Sequence, residues 1–500
     1  MAEVKTKKNR VWWTFLKVIL VIAQAAISIM LVLSIIHTNI VGTEIIVPVI
    51  IILLILLILN LVFLVIRKKS SMMTQIIGSV IALIIIIGGI FALRYTDSFN
   101  NFLSKVTEQK PETIEYGVVV KNDSSVKELS QLAQHSVGFL KTDVKAMNAE
   151  QYLQSLVKID ADFYDDIDTM VSMLDGSMTD AIVLETDRIE ILKEEMEGLE
   201  EKINIIYTFE IELESEDIPI SEKEVTTEPF IVYISGSDSR NGIKATARSD
   251  VNIIVVVNPK TGKILLASIP RDTYVQLHDT TGLKDKLTHA GVYGINMSKT
   301  TIEDFLGISI DYTIKVSFET VVKVVDELDG IDITSDQAMK LRAEGKDKVC
   351  EFTVGTQHVD GDCALRFARE RKAYKTGDRH RGENQQQVIT SIIGRLAGSR
   401  DYLLKVPTIL EVAADSFETS IPREDIAKFI RMQLANGTDW KVESIAVDGT
   451  GSMQPTYSMG ANRPLYVMIP SEASVAEVKN KITEYLNSEG IVESENNEKE

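Results

Sequence analysis

The chain has 500 residues, 45% hydrophobic and 25% charged, a length that suits two to four domains of roughly 150 residues each. That composition excludes a disordered chain, a collagen and a disulfide-dense mini-protein. The formal charge of −19 is unevenly placed: residues 1–95 hold nine Lys or Arg against two acids, net +7, whereas residues 96–500 hold 44 against 70, net −26.

Three apolar runs open the chain, at Val11 to Ile36, Ile45 to Ile66 and Ile76 to Leu93. A bilayer core of about 30 Å needs about 20 apolar helical residues, so each run reads as a transmembrane helix. The first is longer than the apolar stretch of a cleaved signal peptide and is expected to remain as an anchor. Lys5, Lys7, Lys8 and Arg10 precede the first run, and Arg67, Lys68 and Lys69 follow the second. The loop His37 to Glu44 has neither Lys nor Arg. Residues 1–94 thus comprise the amino terminus and three spans, and the positive-inside rule predicts a cytoplasmic amino terminus and an ectodomain outside the cell, with only Arg94 pointing the other way. Trp12 and Trp13 suit an interfacial anchor.

Residues 95–113 are polar, include Lys110-Pro111, and read as a stalk. Strands are predicted at Ile114 to Val120, His135 to Leu140, Asp180 to Leu184 and Ile203 to Leu213. Helices are predicted at Ser124 to Gln134, Ala146 to Val157, Phe163 to Leu174 and Asp187 to Lys202. This alternation describes a small α/β accessory domain over 114–213. It carries no catalytic constellation: one His, no Cys and no Gly-rich loop. An acidic linker with Pro219 and Pro229 follows over 214–229.

From residue 230 the pattern changes. Phe230 to Ile234, Val251 to Val257 and Ile264 to Ile269 are β-branched runs, the last two joined by a turn at Asn258 to Gly262. Such runs mark strands covered on both faces, so helices should pack on either side. Helices are predicted at Lys299 to Leu306, Phe318 to Leu328, Gln385 to Leu396, Tyr402 to Ala414 and Arg423 to Leu434. A strand at Val442 to Val447 and a helix at Ala473 to Leu486 complete an α/β/α sandwich over 230–488, before an acidic tail at 489–500. The two cysteines, Cys350 and Cys363, are compatible with a disulfide outside the cell or with two thiols in apolar packing.

In this acidic chain Arg240, Arg248, Arg271, Arg369, Arg371, Arg379 and Arg381 all fall beside strand ends, turns or helix starts. Such a gathering suggests a pocket for a multiply charged oxyanion, which the planar guanidinium fork meets bidentately. Ion pairing with the neighbouring Asp238, Asp250, Asp272, Glu370 and Asp378 is the competing reading. Asp238 and Asp250 lie at the end and the start of adjacent predicted strands, where two carboxylates beside phosphate-binding arginines would suit Mg²⁺. An Arg–Asp network would use the same residues. No zinc spacing, nucleophile elbow, P-loop or dinucleotide fingerprint is present. The charge of −26 beyond the membrane half argues against nucleic acid as a partner.

The motifs Ser-Gly-Ser-Asp-Ser-Arg (235–240), Ala-Arg-Ser-Asp-Val (247–251), Ile-Pro-Arg-Asp (269–272) and Lys-Leu-Thr-His-Ala (286–290) come in order. Leu-Asp-Gly-Ile-Asp (328–332), Gly-Asp-Cys-Ala-Leu-Arg-Phe-Ala-Arg-Glu-Arg (361–371) and Gly-Asp-Arg-His-Arg-Gly-Glu-Asn-Gln-Gln-Gln (377–387) follow. Together they resemble the LytR–CpsA–Psr family over residues 230 to about 490. Three spans plus an accessory domain resemble its capsule-type CpsA (Wzg) branch.

The resemblance implies a phosphotransferase that moves a glycopolymer, capsular polysaccharide or a related secondary wall polymer, from undecaprenyl diphosphate onto peptidoglycan. Asp238 and Asp250 would correspond to Mg²⁺ ligands. Arg248, Arg271, Arg369, Arg371, Arg381 and Gln385 would hold the diphosphate, and Asp378 would orient an arginine or assist the acceptor hydroxyl. The family's arginine–glutamine adjacency is split here into Arg381-Gly-Glu-Asn-Gln385, one helical turn apart and on one face. A polyprenyl tail also needs an apolar tunnel, for which the helices around Phe318 to Val325 and Val388 to Ile393 are candidates. The alternative is a non-catalytic polyprenyl-phosphate-binding protein of capsule assembly or regulation, in contact with polymerase or kinase machinery. The expected topology disfavours a DNA-binding regulator.

Overall fold

A computed structural model describes residues 2–38, 42–66, 71–107, 111–143, 145–213, 221–237, 242–342, 348–375, 377–399, 402, 409 and 411–489. Within it the side chains of 2–11 and of Asp378 are not described. The chain divides into two compact units, one of residues 1–105, 399–412 and 422–438, the other of 106–398, 413–421 and 439–500.

The first unit is built on α1 (Ala2–Thr38), α2 (Thr43–Leu61) and α3 (Met72–Thr107). Three segments here are long and apolar enough to cross a bilayer, Trp12–Thr38, Thr43–Ile66 and Met72–Thr107, which marks a membrane protein. Lipid gives apolar helices no hydrophobic reason to associate, so buried polar pairs help to fix them. Asn60 donates to Gln24 at 2.9 Å between α2 and α1, and the Ser34 and Thr96 hydroxyls meet at 2.6 Å between α1 and α3. The expected stalk is a correction: α3 runs on as helix to Thr107, with Phe99, Phe102, Leu103 and Val106 buried. Helix Arg423–Asn436 belongs to this unit, where Arg423 donates to Asn100. Most of the helix expected over Tyr402 to Ala414 lies outside the described residues.

The second unit opens with the accessory domain. Its elements are β1 (Thr113–Lys121), β2 (Ser136–Leu140), α4 (Ala146–Leu156), β3 (Asp160–Tyr164), α5 (Ile167–Asp175), β4 (Ala181–Glu185), α6 (Thr186–Glu195), α7 (Leu199–Lys202) and β5 (Ile203–Glu212). The strands form one sheet in the order β3-β2-β4-β1-β5 over a core that includes Tyr116, Phe139 and Leu153. Three expectations need correction. Ser124 to Gln134 is not a helix but a short turn at Leu129–Leu132, because the Ser124 hydroxyl takes the Val126 N–H and bends the chain. Phe163 belongs to β3, and α5 starts only after Asp166, whose carboxylate accepts the Thr169 N–H at 2.8 Å. The long helix Asp187 to Lys202 breaks into α6 and α7 where Gly198 takes φ 75°.

The larger domain contains β6 (Phe230–Ser237), β7 (Val251–Asn258), β8 (Lys263–Ser268), β9 (Tyr274–Val275), β10 (Asp285–Lys286), α8 (Leu287–Ala290), α9 (Ile295–Leu306), β11 (Tyr312–Ser317) and α10 (Phe318–Glu327). It continues with β12 (Ile331–Ser335), β13 (Met339–Arg342), β14 (Val349–Phe352), β15 (Gly355–Val359), α11 (Gly361–Arg369), α12 (Asp378–Ala397), β16 (Phe417–Thr419), β17 (Lys441–Ala446), β18 (Gly449–Thr456) and β19 (Gly460–Pro470). Helix Glu472–Asn487 closes it. Six strands make the central sheet in the order β16-β11-β6-β7-β8-β17.

Every residue of β7 is buried, as a continuous β-branched strand between two helical layers should be. One face packs on α9 and the C-terminal helix through Ile302, Leu306, Val478 and Ile482. Each such fully buried aliphatic side chain contributes about 1.5–3 kcal/mol. The other face takes α12, whose Gln386 amide donates to the Leu266 and Ile445 carbonyls at 3.0 and 2.7 Å. Cys350 and Cys363 are joined in a disulfide that ties β14 to the first turn of α11.

Candidate functional site

The direction of the strands chooses the site. β6 is antiparallel to β7 and β7 to β8, while β11 runs parallel to β6 and β17 to β8. The carboxyl ends of β11, β6, β8 and β17 therefore share one edge with the start of β7. In open α/β sheets that edge is where ligands bind. A cavity of about 700 Å³ opens there, and a narrow cleft adjoins it; Asp250, Arg271, Arg381 and Gln385 line both.

Seven of the expected residues reach this edge, each by a definable route. Asp250 stands just before β7, with its N–H on the Gly236 carbonyl at 2.8 Å. Arg271 follows the end of β8, and its Nη1 donates to Asp250 Oδ1 at 2.8 Å. Thr288 of α8 braces both, its hydroxyl 3.4 Å from Asp250 Oδ1 and its N–H on the Arg271 carbonyl at 2.9 Å. Arg369 ends α11 and lies over the Phe318 ring at 4.8 Å; it lines the cavity together with Arg371, two residues on. Arg381 and Gln385, one turn apart on α12, face the same space. At Gly382 an added Cβ would come 3.1 Å from the Ser268 hydroxyl, so the small residue lets α12 lie close to the end of β8. Arg248 precedes Asp250 by two residues and completes the lining.

Other expected residues fall elsewhere. Arg379 pairs with Asp448 at 2.6 Å and lines only the narrow cleft. Glu370 caps the turn after α11 by accepting the Ala373 N–H at 2.8 Å. Asp272 takes Lys286 at 3.4 Å. Asp238 and Arg240 lie outside the described residues, as does the side chain of Asp378 at the start of α12. Of the proposed tunnel residues, Phe318 lines the cavity, whereas Val325 and Val388 are buried in the core.

Charge sets the protonation states. Burial opposes ionisation of Asp250, but the guanidiniums of Arg271, Arg381 and Arg248 outweigh it and hold the carboxyl below its usual range. An ionised hard-oxygen donor beside several guanidiniums is compatible with Mg²⁺, which typically takes one or two carboxylates plus substrate oxygens. No group of three or more metal-ligating side chains occurs among the described residues, and a Mg²⁺ ion of that kind does not need one.

The opposite wall was not legible in the sequence, because it comes from the accessory domain. Glu115, Thr186, Asp187, Glu190 and Glu194 face the arginines across the cavity. Glu194 takes Arg248 end-on, Nη1 to Oε2 at 2.9 Å and Nη2 to Oε1 at 3.0 Å. Burial pushes the Asp187 carboxyl up to about 6. The only signal in the sequence was the charge of the helix that begins near Asp187, which also describes any solvated helix.

Residues 208–483, more than half the chain, match the model described as LytR_cpsA_psr family. The chain is 31% identical over 271 residues to the polyisoprenyl-teichoic acid–peptidoglycan teichoic acid transferase TagU of Bacillus cereus, covering 53% of this chain and 82% of that protein. It is 30% identical over 268 residues to the similarly named TagV of Bacillus subtilis, covering 53% of this chain and 66% of that protein. The crystal structure of B. subtilis TagV aligns with 28% identity and a TM-score of 0.44, over 52% of this chain and 98% of that one.

Proposed function

This chain belongs to the LytR–CpsA–Psr family, and from that premise we propose that it transfers a glycopolymer from a polyprenyl diphosphate carrier onto peptidoglycan. The observation that carries this reading is the convergence of Arg248, Arg271, Arg369, Arg371 and Arg381 on one cavity at the carboxyl edge of the sheet. Five guanidiniums in one concave site suit a diphosphate.

The chemistry follows from where charge develops. An acceptor hydroxyl oxygen attacks the glycan-side phosphorus, the bond from that phosphorus to the bridging oxygen breaks, and polyprenyl phosphate leaves. The product is a phosphodiester between polymer and acceptor. Arginines already aimed at the phosphate oxygens stabilise the charge passing to the leaving phosphate without reorganising. Gln385 adds a neutral donor beside Arg381. Asp250, with Asp238, would hold Mg²⁺, which when bound neutralises part of the diphosphate charge. Asp378 is assigned to orient an arginine or to assist the acceptor hydroxyl.

The membrane helices keep the chain where a lipid-borne donor resides. The charge asymmetry around them supports a cytoplasmic amino terminus and an extracellular catalytic domain, the side on which peptidoglycan lies. Three spans and the accessory domain favour capsular polysaccharide or a related secondary wall polymer as cargo, with capsule polymerase or kinase machinery as neighbours.

The test uses the purified full chain in detergent, with a polyprenyl-diphosphate-linked disaccharide and Mg²⁺. Release of polyprenyl monophosphate supports transfer; donor binding without release favours a non-catalytic assembly protein.

A further inference from the structure

Segment 244–248, which delivers Arg248 to the cavity, is held from the accessory-domain side at several points. Thr113, the first residue of β1, donates its N–H to the Lys244 carbonyl at 3.1 Å and accepts the Thr246 N–H at 2.8 Å. Glu112 takes the Lys315 ammonium at 2.6 Å, and the same ammonium donates to the Ala245 carbonyl at 3.1 Å. At the end of the segment, Arg248 meets α6 of the accessory domain, where Asp187 and Glu194 line the cavity with it. Glu194 grips the Arg248 guanidinium through both terminal nitrogens, at 2.9 and 3.0 Å. Asp187 and Glu194 are two turns apart on α6 and so share one face. One helix of the accessory domain therefore holds the side chain of one cavity arginine.

The placement of α6 does not depend on that ion pair. Met459 and Leu465, from the loop and strand beside β18, are buried in the same cluster as Met170, Leu174, Leu192 and Leu199 of the accessory domain. Arg188 of α6, buried with Glu185 at 3.0 Å, also donates to the Tyr293 hydroxyl at 3.0 Å. Interior packing thus sets the helix against the larger domain. The Glu194 side chain is 57% exposed, so its pair with Arg248 contributes little to folding. An end-on grip leaves the Nε edge of the guanidinium for a phosphate oxygen. Ordering a long arginine before the ligand arrives removes an entropic cost from binding.

We propose that Glu194 is a positioning residue for Arg248, so that the accessory domain supplies one wall of the active site and pre-orders a diphosphate-binding guanidinium. This rests on the transferase reading above, and the experiment separates the two.

Initial rates of polyprenyl phosphate release are measured on the full chain in detergent with a polyprenyl-diphosphate-linked disaccharide and Mg²⁺. Glu194→Ala should lower kcat/KM about 5- to 10-fold, and Glu194→Asp, which keeps the carboxylate, should recover most of it. Arg248→Ala should lower it ~100-fold, and the Glu194→Ala/Arg248→Ala double variant should be no worse than Arg248→Ala alone. Losses that multiply in the double variant would overturn the proposal, as would unchanged or faster release by Glu194→Ala. If Glu194→Ala fails to fold, Glu194→Gln takes its place in the cycle. If the wild type releases no lipid phosphate, the transferase reading fails. The positioning claim is then read from polyprenyl diphosphate binding, which Glu194→Ala should weaken about fivefold only while Arg248 is present.

Discussion

Arg271 Nη1 donates to Asp250 Oδ1 at 2.8 Å, joining the residue that leaves β8 to the residue that precedes β7. Both side chains are about four-fifths buried, so the pair sits where charge is poorly screened and where a phosphate would find its counter-ion already oriented. Arg271→Ala should lower lipid-phosphate release ~100-fold or more while the far-UV spectrum is kept. Arg271→Lys should recover only part, because an ammonium keeps the charge and loses the fork. Without the guanidinium, burial acts on Asp250 less opposed and its carboxyl should move upward, visible as weaker activity toward low pH.

Asp187 supplies a pH dependence of the opposite sign to that of a paired carboxylate. Burial lifts its carboxyl in the folded chain to about 6, against an ordinary value of 3.8. A group with a raised folded value binds its proton more tightly when folded, so stability is lost as pH rises through about 6 and is recovered as pH falls toward 4. Asp187→Asn should therefore stabilise the chain at pH 7.5, by up to ~3 kcal/mol, and the gain should vanish near pH 4. Thermal unfolding of both proteins across that range measures it.

The disulfide holds β14 against the start of the helix that ends in Arg369. It closes a loop of 13 residues, for which chain entropy gives about 3 kcal/mol. Cys350→Ser/Cys363→Ser should lower the unfolding midpoint to that of the reduced wild type. Unreduced wild-type protein should take up no alkylating reagent, and the reduced protein two equivalents.

Gly361 tests whether helix placement controls the arginines. A Cβ there would come 2.2 Å from the Val322 carbonyl oxygen, a backbone atom that cannot swing aside. Gly361→Ala should destabilise by about 2 kcal/mol and displace α11, so that release falls although no cavity residue has changed. Wild-type activity with reduced stability would uncouple Arg369 from the seating of its helix.

Much of the catalytic domain was legible because its signals are local. The β-branched runs of β6, β7 and β8 announce buried strands, and the arginines beside their ends are the ones that line the cavity. β11 was missed because Lys315 interrupts its apolar pattern; that lysine is buried with Glu112 and the Ala245 carbonyl as partners, at 2.6 and 3.1 Å. The hairpin of β18 and β19 was missed because glycine, proline and polar residues disguise its alternation. At Asp250 the residues alone left both a metal ligand and an ion pair open, and in the structure Arg271 donates to it at 2.8 Å. The bond between Glu194 and Arg248 spans 54 residues and an acidic linker. No local pattern encodes it, since the packing of one domain on the other brings the two side chains together.

The central claim is that the gathered arginines perform transfer, and a labelled glycan moved from polyprenyl diphosphate onto peptidoglycan tests it most directly. Wild-type chain should place label on the wall polymer and release polyprenyl phosphate in equal amount. Arg369→Ala, folded and still paired through its disulfide, should do neither. Transfer by Arg369→Ala at the wild-type level, or donor binding by the wild type with no phosphate released, would contradict the account.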